Sequence, residues 1–367
     1  MGAKDLAKII AVADHRYRAS LPAIPERLPA PTGELRDALG RPLRDLRISV
    51  TDRCNFRCSY CMPKDVFDRD YAFLPQSSLL SFEEITRLAR LFVAHGTRKI
   101  RLTGGEPLLR KGLEGLVARL AALDPAPVLA LTTNGIGLAS RADGLAAAGL
   151  DRINVSLDTL DPETFAQLTR RRRHADVLAG IRAARAAGLT PVKVNAVLMR
   201  GVNDHEAAAM LRWALDEDVQ LRFIEQMPLD AQHGWRRSEM VTAAETLARL
   251  RAELPLVVDP AHAAARGSAP AELFRVVGTD ATVGVIASVT QPFCGSCDRV
   301  RLTADGQIRT CLFAREESDL RLLLRGGADD ATIADAWVTA VAGKQPGHGI
   351  DDPSFLQPDR PMSAIGG

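Results

Sequence analysis

Short apolar runs rich in β-branched residues alternate with Ala-, Leu- and Arg-rich amphipathic stretches along the first two thirds of the chain. The apolar runs predict strands at 46–50, 99–103, 128–132, 152–156, 192–198 and 220–225, and the amphipathic stretches predict helices at 82–95, 112–123, 141–148, 176–187 and 204–216. Strands that alternate with helices predict an α/β fold, here a partial, open (β/α)6 version of the TIM-like barrel. In such barrels the active site lies at the carboxyl ends of the strands, so we expect the chemistry there.

Basic residues recur on one face of these strands. Alternate residues of a strand share a face, and on that basis the basic residues point together towards the interior. Two arginines, two positions apart near the C-terminus, complete this inward set. Its members are Arg47, Lys99, Arg101, Lys193, Arg222, Arg299 and Arg301. Unpaired buried cations carry a large desolvation cost, so the pattern predicts an anionic ligand, and arginine forks suit phosphate oxygens. Any one of these basic residues, considered alone, is equally well explained as an exposed charge in an ion pair.

Composition bounds the class of protein. The 367 residues are 46% hydrophobic and 25% charged with a net charge of +2, which suffices for a core and suggests about two domains. No apolar stretch reaches the roughly 18 residues that a membrane span needs, so we expect a cytoplasmic protein without membrane contact. The near-neutral charge argues against nucleic-acid binding, and the basic run 170–173 is interpreted as a solvated loop face.

Three cysteines, Cys54, Cys58 and Cys61, form a C-x3-C-x2-C triplet directly after the first predicted strand. Three thiolates on one loop can hold three corners of a [4Fe-4S] cube and leave the fourth iron open for chemistry. A structural zinc site would normally need a fourth ligand, which the local sequence does not offer. Structural zinc or chance clustering stays open as the alternative.

A second triplet, Cys294, Cys297 and Cys311, has the spacing C-x2-C-x13-C. It too presents three ligands and predicts a second open-iron cluster that could hold a substrate directly. Zinc is a stronger rival at this site, because C-x2-C with a distant third ligand is a common zinc arrangement and His348 could be the fourth ligand. Disulfides are disfavoured in a reducing compartment.

The first triplet, with the aromatic Tyr60 before its last cysteine, resembles the radical S-adenosylmethionine (SAM) family, and Gly104-Gly105-Glu106-Pro107 matches that family's GGEP segment. Further motifs narrow the resemblance to the GTP 3′,8-cyclase family of molybdenum cofactor biosynthesis, from about residue 43 to the end of the chain. These motifs are Leu131 to Gly135, Arg152 to Asp158, Arg222 to Glu225, Cys294 to Leu312 with its Arg-x-Arg, and the terminal Ile365-Gly366-Gly367.

The resemblance implies specific roles for the site residues. The first triplet would bind the cluster that chelates SAM, and the second would bind the cluster that holds the guanine of GTP. SAM would be contacted by Tyr60, Gly104, Gly105, Glu106, Ser156 and Met227. GTP would be surrounded by Thr132 and the seven inward cations, and the catalytic set would be Arg299, Arg301, Gly366 and Gly367, since the family's tail reaches into the active site.

The resemblance also implies the reaction and its partners. A 5′-deoxyadenosyl radical would abstract the ribose C3′ hydrogen of GTP, giving (8S)-3′,8-cyclo-7,8-dihydroguanosine 5′-triphosphate. An external electron donor is required, and a homodimer and the next pathway enzyme, cyclic pyranopterin monophosphate synthase, are candidate partners. A radical SAM enzyme acting on a peptide or tRNA, and a non-enzymatic iron-sulfur or zinc protein, are the rival hypotheses.

The chain is expected to divide into three regions. Residues 1–42 form a Pro-rich N-terminal extension, 43–240 the radical SAM partial barrel, and 241–367 a cluster- and substrate-binding region that ends in the Gly-Gly tail.

Two local features of the C-terminal region carry separate expectations. Asp298 stands where the family usually has Asn and is expected to pair with Arg299, and the Ala/Gly/Pro-rich stretch 259–270 is expected to be a flexible loop.

Overall fold

The structure, a computed structural model, describes residues 33–366. Residues 1–32, which make up most of the expected extension, and Gly367 lie outside the described residues. Within that range the strands belong to one sheet. They are β1 (Asp45–Ser49), β2 (Lys99–Thr103), β3 (Val128–Thr133), β4 (Arg152–Ser156), β5 (Lys193–Val197), β6 (Gln220–Ile224), β7 (Leu256–Val258), β8 (Glu272–Val276), β9 (Thr282–Ile286), β10 (Arg299–Leu302), β11 (Gln307–Arg309) and β12 (Ser318–Asp319).

Helices follow most of the parallel strands. They are α1 (Phe82–Ala94), α2 (Leu113–Ala121), α3 (Ala142–Ala147), α4 (Pro162–Thr169), α5 (His174–Ala186), α6 (Ala207–Asp216), α7 (Ala243–Arg251), α8 (Pro260–Ala265), α9 (Leu320–Arg325), α10 (Asp330–Ala342) and α11 (Met362–Ile365). Each predicted strand and helix is found, with ends that differ by a few residues at most. The structure adds α4 between the predicted fourth strand and helix, and a 3-10 turn at Asp204–Glu206 that precedes α6.

The sheet is open and larger than six strands. Its order is β12-β11-β10-β1-β2-β3-β4-β5-β6-β9-β8-β7, and the run from β10 to β9 is parallel throughout. The α/β fold and the open barrel predicted from the sequence are therefore confirmed. The C-terminal region extends the barrel at both edges, because β10 pairs with β1 and β9 pairs with β6.

The register of this sheet aligns the basic positions. Arg47 on β1 lies opposite Arg101 on β2 and opposite Arg301 on β10. Asn195 on β5 lies opposite Arg222 on β6. Since neighbouring strands in register present the same face at the same level, these side chains collect on one side of the sheet.

The apolar faces of the helices close the opposite side. α1 starts at a capping box in which Ser81 and Glu84 bond each other's backbone amides, a device worth roughly 1 kcal/mol. Its buried stripe includes Leu88 and Phe92, and the Phe92 ring lies 4.1 Å from the ring of Trp337 on α10. A helix from the C-terminal region thus packs on the first helix of the barrel, and the two regions share one core.

Two stretches outside the predicted strands and helices are held by defined contacts, although 259–270 was expected to be a flexible loop. Residues 33–42 dock on the barrel, with Leu35 buried and its amide bonded to the carbonyl of His95. The stretch 259–270 contains α8, which Asp259 caps by accepting from the amides of Ala261 and His262. Among the described residues, no helix is long and apolar enough to cross a membrane.

Candidate active site

One cavity of about 580 Å³ runs along the inner face of the parallel strands, from Asp45, Lys99 and Lys193 at their amino ends to the loops at their carboxyl ends, so the site extends beyond the carboxyl ends that the sequence indicated. All six cysteines line it, and all six are free thiols. The first triplet is on the loop after β1, Cys294 and Cys297 are in the turn before β10, and Cys311 follows β11. Pairing of β10 with β1 is what brings the two triplets, far apart in sequence, to the same cavity.

The Gly104-Gly105 pair lets two loops approach closely. The amide of Gly105 donates to the carbonyl of Thr51 at 2.7 Å, and the amide of Glu106 donates to the carbonyl of Arg53 at 2.7 Å. A Cβ atom on Gly105 would lie 2.4 Å from the carbonyl oxygen of Arg53, which no real side chain tolerates. The glycine is therefore required for the loop after β2 to support the chain that leads into the first triplet.

Glu106 is buried and connects the loops after β2 and β3. Its carboxylate accepts from the amides of Leu108 and Asn134 and from the hydroxyl of Thr133, at 2.7 to 2.9 Å. Burial nevertheless raises the pKa of Glu106 to about 7. Asn134 in turn donates to Asn55 at 2.6 Å, so Glu106 supports the first cysteine loop even though it also lines the cavity.

The thiols of the first triplet lie in a medium that disfavours free thiolates. Burial raises the pKa of Cys54 to about 11 and that of Cys61 to about 12, and it raises the pKa of Cys58 as well. Each thiolate would also repel its neighbours. A bound metal deprotonates such thiols outright and compensates their charge, so this buried group of three fits a cluster that binds one thiolate per iron.

Around this loop lie the other residues predicted to contact SAM. The hydroxyl of Tyr60 donates to Asp158 at 2.6 Å, and the second oxygen of Asp158 accepts from the amide of Val197 at 2.9 Å. Ser156 at the end of β4 and Met227 after β6 both line the cavity, as do Gly104 and Gly105. The structure thus brings all six of these residues to the cavity. Asp158, the last residue of the motif Arg152 to Asp158 and not among the predicted site residues, holds Tyr60.

All seven predicted cations line the cavity. Arg101 donates to Thr132 at 3.2 Å, and Arg222 donates to Gln220 at 2.8 Å. Burial lowers the pKa of Arg101 and of Arg222 to about 10, and it lowers the pKa of Lys193 to about 7 with help from Arg222 and other nearby cations. The lowered pKa values reflect the positive interior that the sequence analysis expected. A bound anion would compensate this positive charge.

Several polar residues of the cavity were missed by the sequence analysis. Asp45 forms an ion pair with Lys99, and its pKa falls to about 2 because the nearby cations outweigh the opposing effect of burial. Asn154 is buried, and its side-chain oxygen has no partner among the described residues. Strand parity could have found both, since Asp45 shares a face with Arg47 and Asn154 shares one with Ser156.

Two cationic side chains lie beside the second triplet. Arg299 packs on the ring of Phe293 and lies 3.9 Å from the sulfur of Cys297. Lys344, also missed from the sequence, lies 3.7 Å from the same sulfur. Burial alone would raise the pKa of Cys297, but Lys344 and Arg299 outweigh it, and the pKa is lowered. Burial raises the pKa of Cys294.

Asp298 does not have the partner that was expected. Its side chain accepts from the hydroxyl of Ser268 at 2.7 Å, and Arg299 donates to the carbonyl of Ser268. The two residues therefore hold the same loop, at the end of the stretch 259–270, over the cavity. The hydroxyl of Ser268 is thus the partner of Asp298 and the carbonyl of Ser268 is the partner of Arg299, in place of the expected pair.

His348 is not free to complete a zinc site with the second triplet. Its Nδ1 accepts from the amide of Ile350 at 3.1 Å, and its Nε2 lies 3.1 Å from the carbonyl of Ser288, so both ring nitrogens are used. Over residues 33–366, no three Cys, His, Asp or Glu side chains converge in the way that a single metal ion requires.

The described part of the C-terminal tail reaches the cavity, which Met362 and Ser363 line. Arg301 donates to the carbonyl of Gly366, and Ile365 beside it is buried. A Cβ atom on Gly366 would lie 2.7 Å from the hydroxyl of Thr103 and 2.9 Å from Ser49. The tail therefore reaches the site as predicted, at a position that only glycine fits, while Gly367 lies beyond the described residues.

Solved structures support the fold. The protein is similar to SuiB from Streptococcus suis bound to S-adenosylmethionine, with a TM-score of 0.58 and 14% identity, covering 84% of this chain and 68% of that one. A second SuiB structure, bound to the precursor peptide SuiA, gives a TM-score of 0.57 and 13% identity, covering 89% and 77%. At such low identity the likeness concerns the fold alone.

Sequence comparisons are more specific. Residues 48–214 match the Radical SAM superfamily, and residues 219–350 match the family described as Molybdenum Cofactor Synthesis C. A GTP 3′,8-cyclase of Streptomyces coelicolor is 59% identical over 332 residues, which cover 90% of this chain and 96% of the relative. GTP 3′,8-cyclase 2 of Mycobacterium tuberculosis is 55% identical over 357 residues, covering 96% and 97%. Together with the two triplets and the glycine tail, these matches place the chain in the GTP 3′,8-cyclase family of radical SAM enzymes.

Proposed function

We propose that this chain converts GTP to (8S)-3′,8-cyclo-7,8-dihydroguanosine 5′-triphosphate, the first step of molybdenum cofactor biosynthesis. The observation that carries the proposal is one cavity that two open cysteine triplets share with nine Lys and Arg residues, namely the seven predicted cations with Arg152 and Arg266. A cationic interior of this kind suits a polyanion, and a nucleoside triphosphate also brings a base and a ribose to fill the remaining space.

The enzyme uses SAM and two [4Fe-4S] clusters, and the residues present fit them. The buried first triplet would hold the first cluster, with Tyr60, Gly104, Gly105, Ser156 and Met227 around SAM. Glu106 would act by supporting the loop of this triplet. When bound, the first cluster and SAM would supply a 5′-deoxyadenosyl radical to take the ribose C3′ hydrogen; C3′ would then bond to C8 of the guanine, and one electron from the external donor with one proton would complete the product.

The cations would position GTP. Arg47, Lys99, Arg101, Lys193 and Arg222 line the wall formed by β1, β2, β5 and β6, where they would hold the triphosphate. Arg299 stands beside the second triplet, where the guanine would lie. Holding both ends of the nucleotide fixes the ribose between them, and such positioning can supply a large part of the rate enhancement.

Arg301 and the tail would complete the site. The bond from Arg301 to the carbonyl of Gly366 holds the tail next to β1 and β2, where it fills space that water would otherwise occupy. A reactive primary radical needs such a closed site, because stray hydrogen donors would quench it. We extend this role to Gly367 as the next residue of the tail.

The remaining partners follow from the chemistry. The reaction needs an external electron donor, and six free thiols suit the reducing cytoplasm. Transfer of the product to cyclic pyranopterin monophosphate synthase, and a homodimeric assembly, stay predictions.

An anaerobic reaction with cluster-reconstituted protein, SAM, GTP and a strong reductant tests the proposal by mass spectrometry. We expect 5′-deoxyadenosine whose formation depends on GTP, together with a product isomeric with GTP. Replacing GTP by ATP is the matched control, because the phosphates and ribose are the same and only the base differs. 5′-Deoxyadenosine without any product from GTP would contradict the proposed substrate and keep the radical SAM chemistry.

A further inference from the structure

Lys344 is a buried lysine that lies at the second cysteine triplet. It follows the end of α10, and only 2% of its surface is exposed. Its ammonium lies 2.5 Å from the carbonyl of Arg299, 2.6 Å from the carbonyl of Thr310 and 3.7 Å from the sulfur of Cys297. A lysine has three N–H donors, so these three acceptors use all of them.

The partners of Lys344 connect separate parts of the second site. Cys297 lies in the turn before β10 and Arg299 is the first residue of that strand, whereas Thr310 directly precedes Cys311. One ammonium therefore joins the stretch that carries Cys297 to the stretch that carries Cys311. Removal of the side chain would leave two buried carbonyls without a donor and would release the two stretches from each other.

The segment that carries Lys344 is held by a second buried cation, Arg41. Its guanidinium donates to the carbonyl of Gln345 at 2.7 Å and to the carbonyl of Pro346 at 3.1 Å. It also donates to the carbonyl of Cys294 at 2.8 Å, and its charge is paired with Asp37. The short N-terminal segment at 37–41 thus fixes both the chain around Lys344 and the remaining cysteine of the triplet.

We propose that Lys344 is a positioning residue of the second iron-sulfur cluster, which holds the cysteine stretches together and donates a charged hydrogen bond to the ligating sulfur of Cys297. The proposal rests on the second triplet being a cluster site, as in the proposed function. An iron-sulfur cluster bound by thiolates is anionic, and positive charge and hydrogen bonds at its sulfurs stabilise the reduced form. Lys344 therefore raises the reduction potential of this cluster and slows its loss.

The test uses the full-length chain with Cys54→Ser, Cys58→Ser and Cys61→Ser, so that only the second triplet binds a cluster. In this background, Lys344→Met removes both the charge and the donors, Lys344→Gln keeps donors without the charge, and Lys111→Met is the control at an exposed lysine that does not line the cavity. The readouts are the reduction potential from a redox titration followed by electron paramagnetic resonance, and the rate of iron loss to a chelator.

We expect a lower potential in Lys344→Met and Lys344→Gln than in the parent, and iron loss that is faster by about 10-fold or more in Lys344→Met. Lys111→Met should match the parent. An unchanged potential and iron-loss rate in folded Lys344→Gln would overturn the proposal. Failure of both Lys344 variants to fold without iron, judged by circular dichroism, would also overturn it, because Lys344 would then stabilise the fold and not the cluster. A parent that binds no iron would instead contradict the proposed function, and with it this role.

Discussion

At the scale of single residues, Gly366 combines two requirements that exclude any side chain. Its φ of +89° lies in the left-handed region, where a side chain costs roughly 1–2 kcal/mol. Its Cα faces Thr103 and Ser49 so closely that a Cβ atom would overlap both. The backbone carbonyl of the same residue receives the bond from Arg301. The backbone conformation, the lack of space for a side chain and the hydrogen bond from Arg301 therefore all constrain residue 366, where the tail meets the cavity.

Gly366→Ala should displace the tail and leave the fold intact. We expect formation of the cyclised product to fall by about 10- to 100-fold, since small misplacements near the reacting atoms have effects of that size. Gly327→Ala is the matched control, because Gly327 has a φ of +81° but no atom within 4 Å of the added Cβ. Product formation by mass spectrometry and thermal melting would be compared. Equal product formation in the two variants would contradict a docked tail.

Lys193 is the cation whose charge depends most on the ligand near neutral pH. Its pKa is lowered to about 7, with burial as the main cause, so both its charged and its neutral forms are populated near pH 7. A bound triphosphate would favour the protonated form and raise the pKa again. GTP binding should therefore take up a proton near pH 7, and this part of the affinity should fall as the pH rises through that value.

Calorimetric titration with GTP in buffers of different ionisation enthalpy measures this uptake. We expect the chain to take up about half a proton at pH 7 more than Lys193→Met does, and the comparison removes the contribution of the γ-phosphate itself. Arg299→Met is the control, since it removes another cation of the cavity that is not among those depressing the pKa of Lys193. It should weaken binding and keep the uptake. Identical uptake by the parent and Lys193→Met would count against phosphate binding at Lys193.

Residue-level prediction from the sequence succeeded where a local pattern exists. Cysteine spacing and strand parity are local, and the residues they indicated all line the cavity. Lys344 has no such pattern, because its partners lie on other elements and only the packing of α10 brings it to Cys297. The pairing expected for Asp298 failed for a similar reason, since Ser268 comes from a loop whose position the sequence does not indicate.

At the scale of elements, the C-terminal tail is attached at several points before it enters the cavity. Arg360 forms a bidentate ion pair with Asp305 at 2.9 and 3.0 Å and a further ion pair with Glu317 at 3.0 Å. Gln357 donates to the carbonyl of Asp230 at 2.5 Å. These contacts join the tail to the β10–β11 connection and to the loop after β6, so they determine where α11 and Gly366 lie.

Arg360→Gln should release the tail without touching the cavity. We expect a drop of about 10-fold or more in cyclised product and faster proteolysis near the C-terminus, because the tail loses its bidentate anchor. Arg182→Gln removes an exposed arginine that pairs with Glu217 on the outside of the barrel and serves as the control. If the tail resists the protease equally well in Arg360→Gln and in the parent, the anchoring role is refuted.

The elements themselves show what hydrophobic periodicity can and cannot indicate. The six strands β1 to β6 were found because each is a short apolar run between turn residues, whereas β9 and β10, which also pair in parallel, were not among the predicted strands. α4 was missed because its sequence is short and only moderately apolar, and it is followed directly by the arginine run. The Ala/Gly/Pro-rich stretch 259–270 was read as a loop from composition, yet Asp259 and Pro260 start a short helix there.

At the scale of the whole molecule, one open sheet brings together two cysteine triplets that lie far apart in the sequence. β1 is followed by the first triplet and is paired on one side with β10, which follows two cysteines of the second. Because β10 runs parallel to β1 and its two cysteines precede it, whereas the first triplet follows β1, this pairing puts the two triplets at opposite ends of one cavity. The sequence predicted both sites but could not predict this long-range pairing, since neither strand alone indicates its neighbour.

The two triplets should fail in different ways when mutated. Cys58→Ala should abolish 5′-deoxyadenosine formation, because SAM would no longer meet a complete cluster site. Cys297→Ala should lose the cyclised product and keep slow cleavage of SAM that no longer depends on GTP. Both products are quantified in the same anaerobic assay after iron analysis of each variant. Retained 5′-deoxyadenosine in Cys58→Ala, or full product in Cys297→Ala, would contradict the assigned roles.

The most direct test of the account follows the hydrogen that leaves GTP. If the cavity holds the ribose between the two triplets, the C3′ hydrogen is the one abstracted, and GTP deuterated at C3′ should transfer deuterium to 5′-deoxyadenosine. GTP deuterated at C2′ or C4′ provides the matched comparison. Transfer from C3′ alone, with a product isomeric with GTP, is the result that the account predicts. Unlabelled 5′-deoxyadenosine from C3′-deuterated GTP would contradict it.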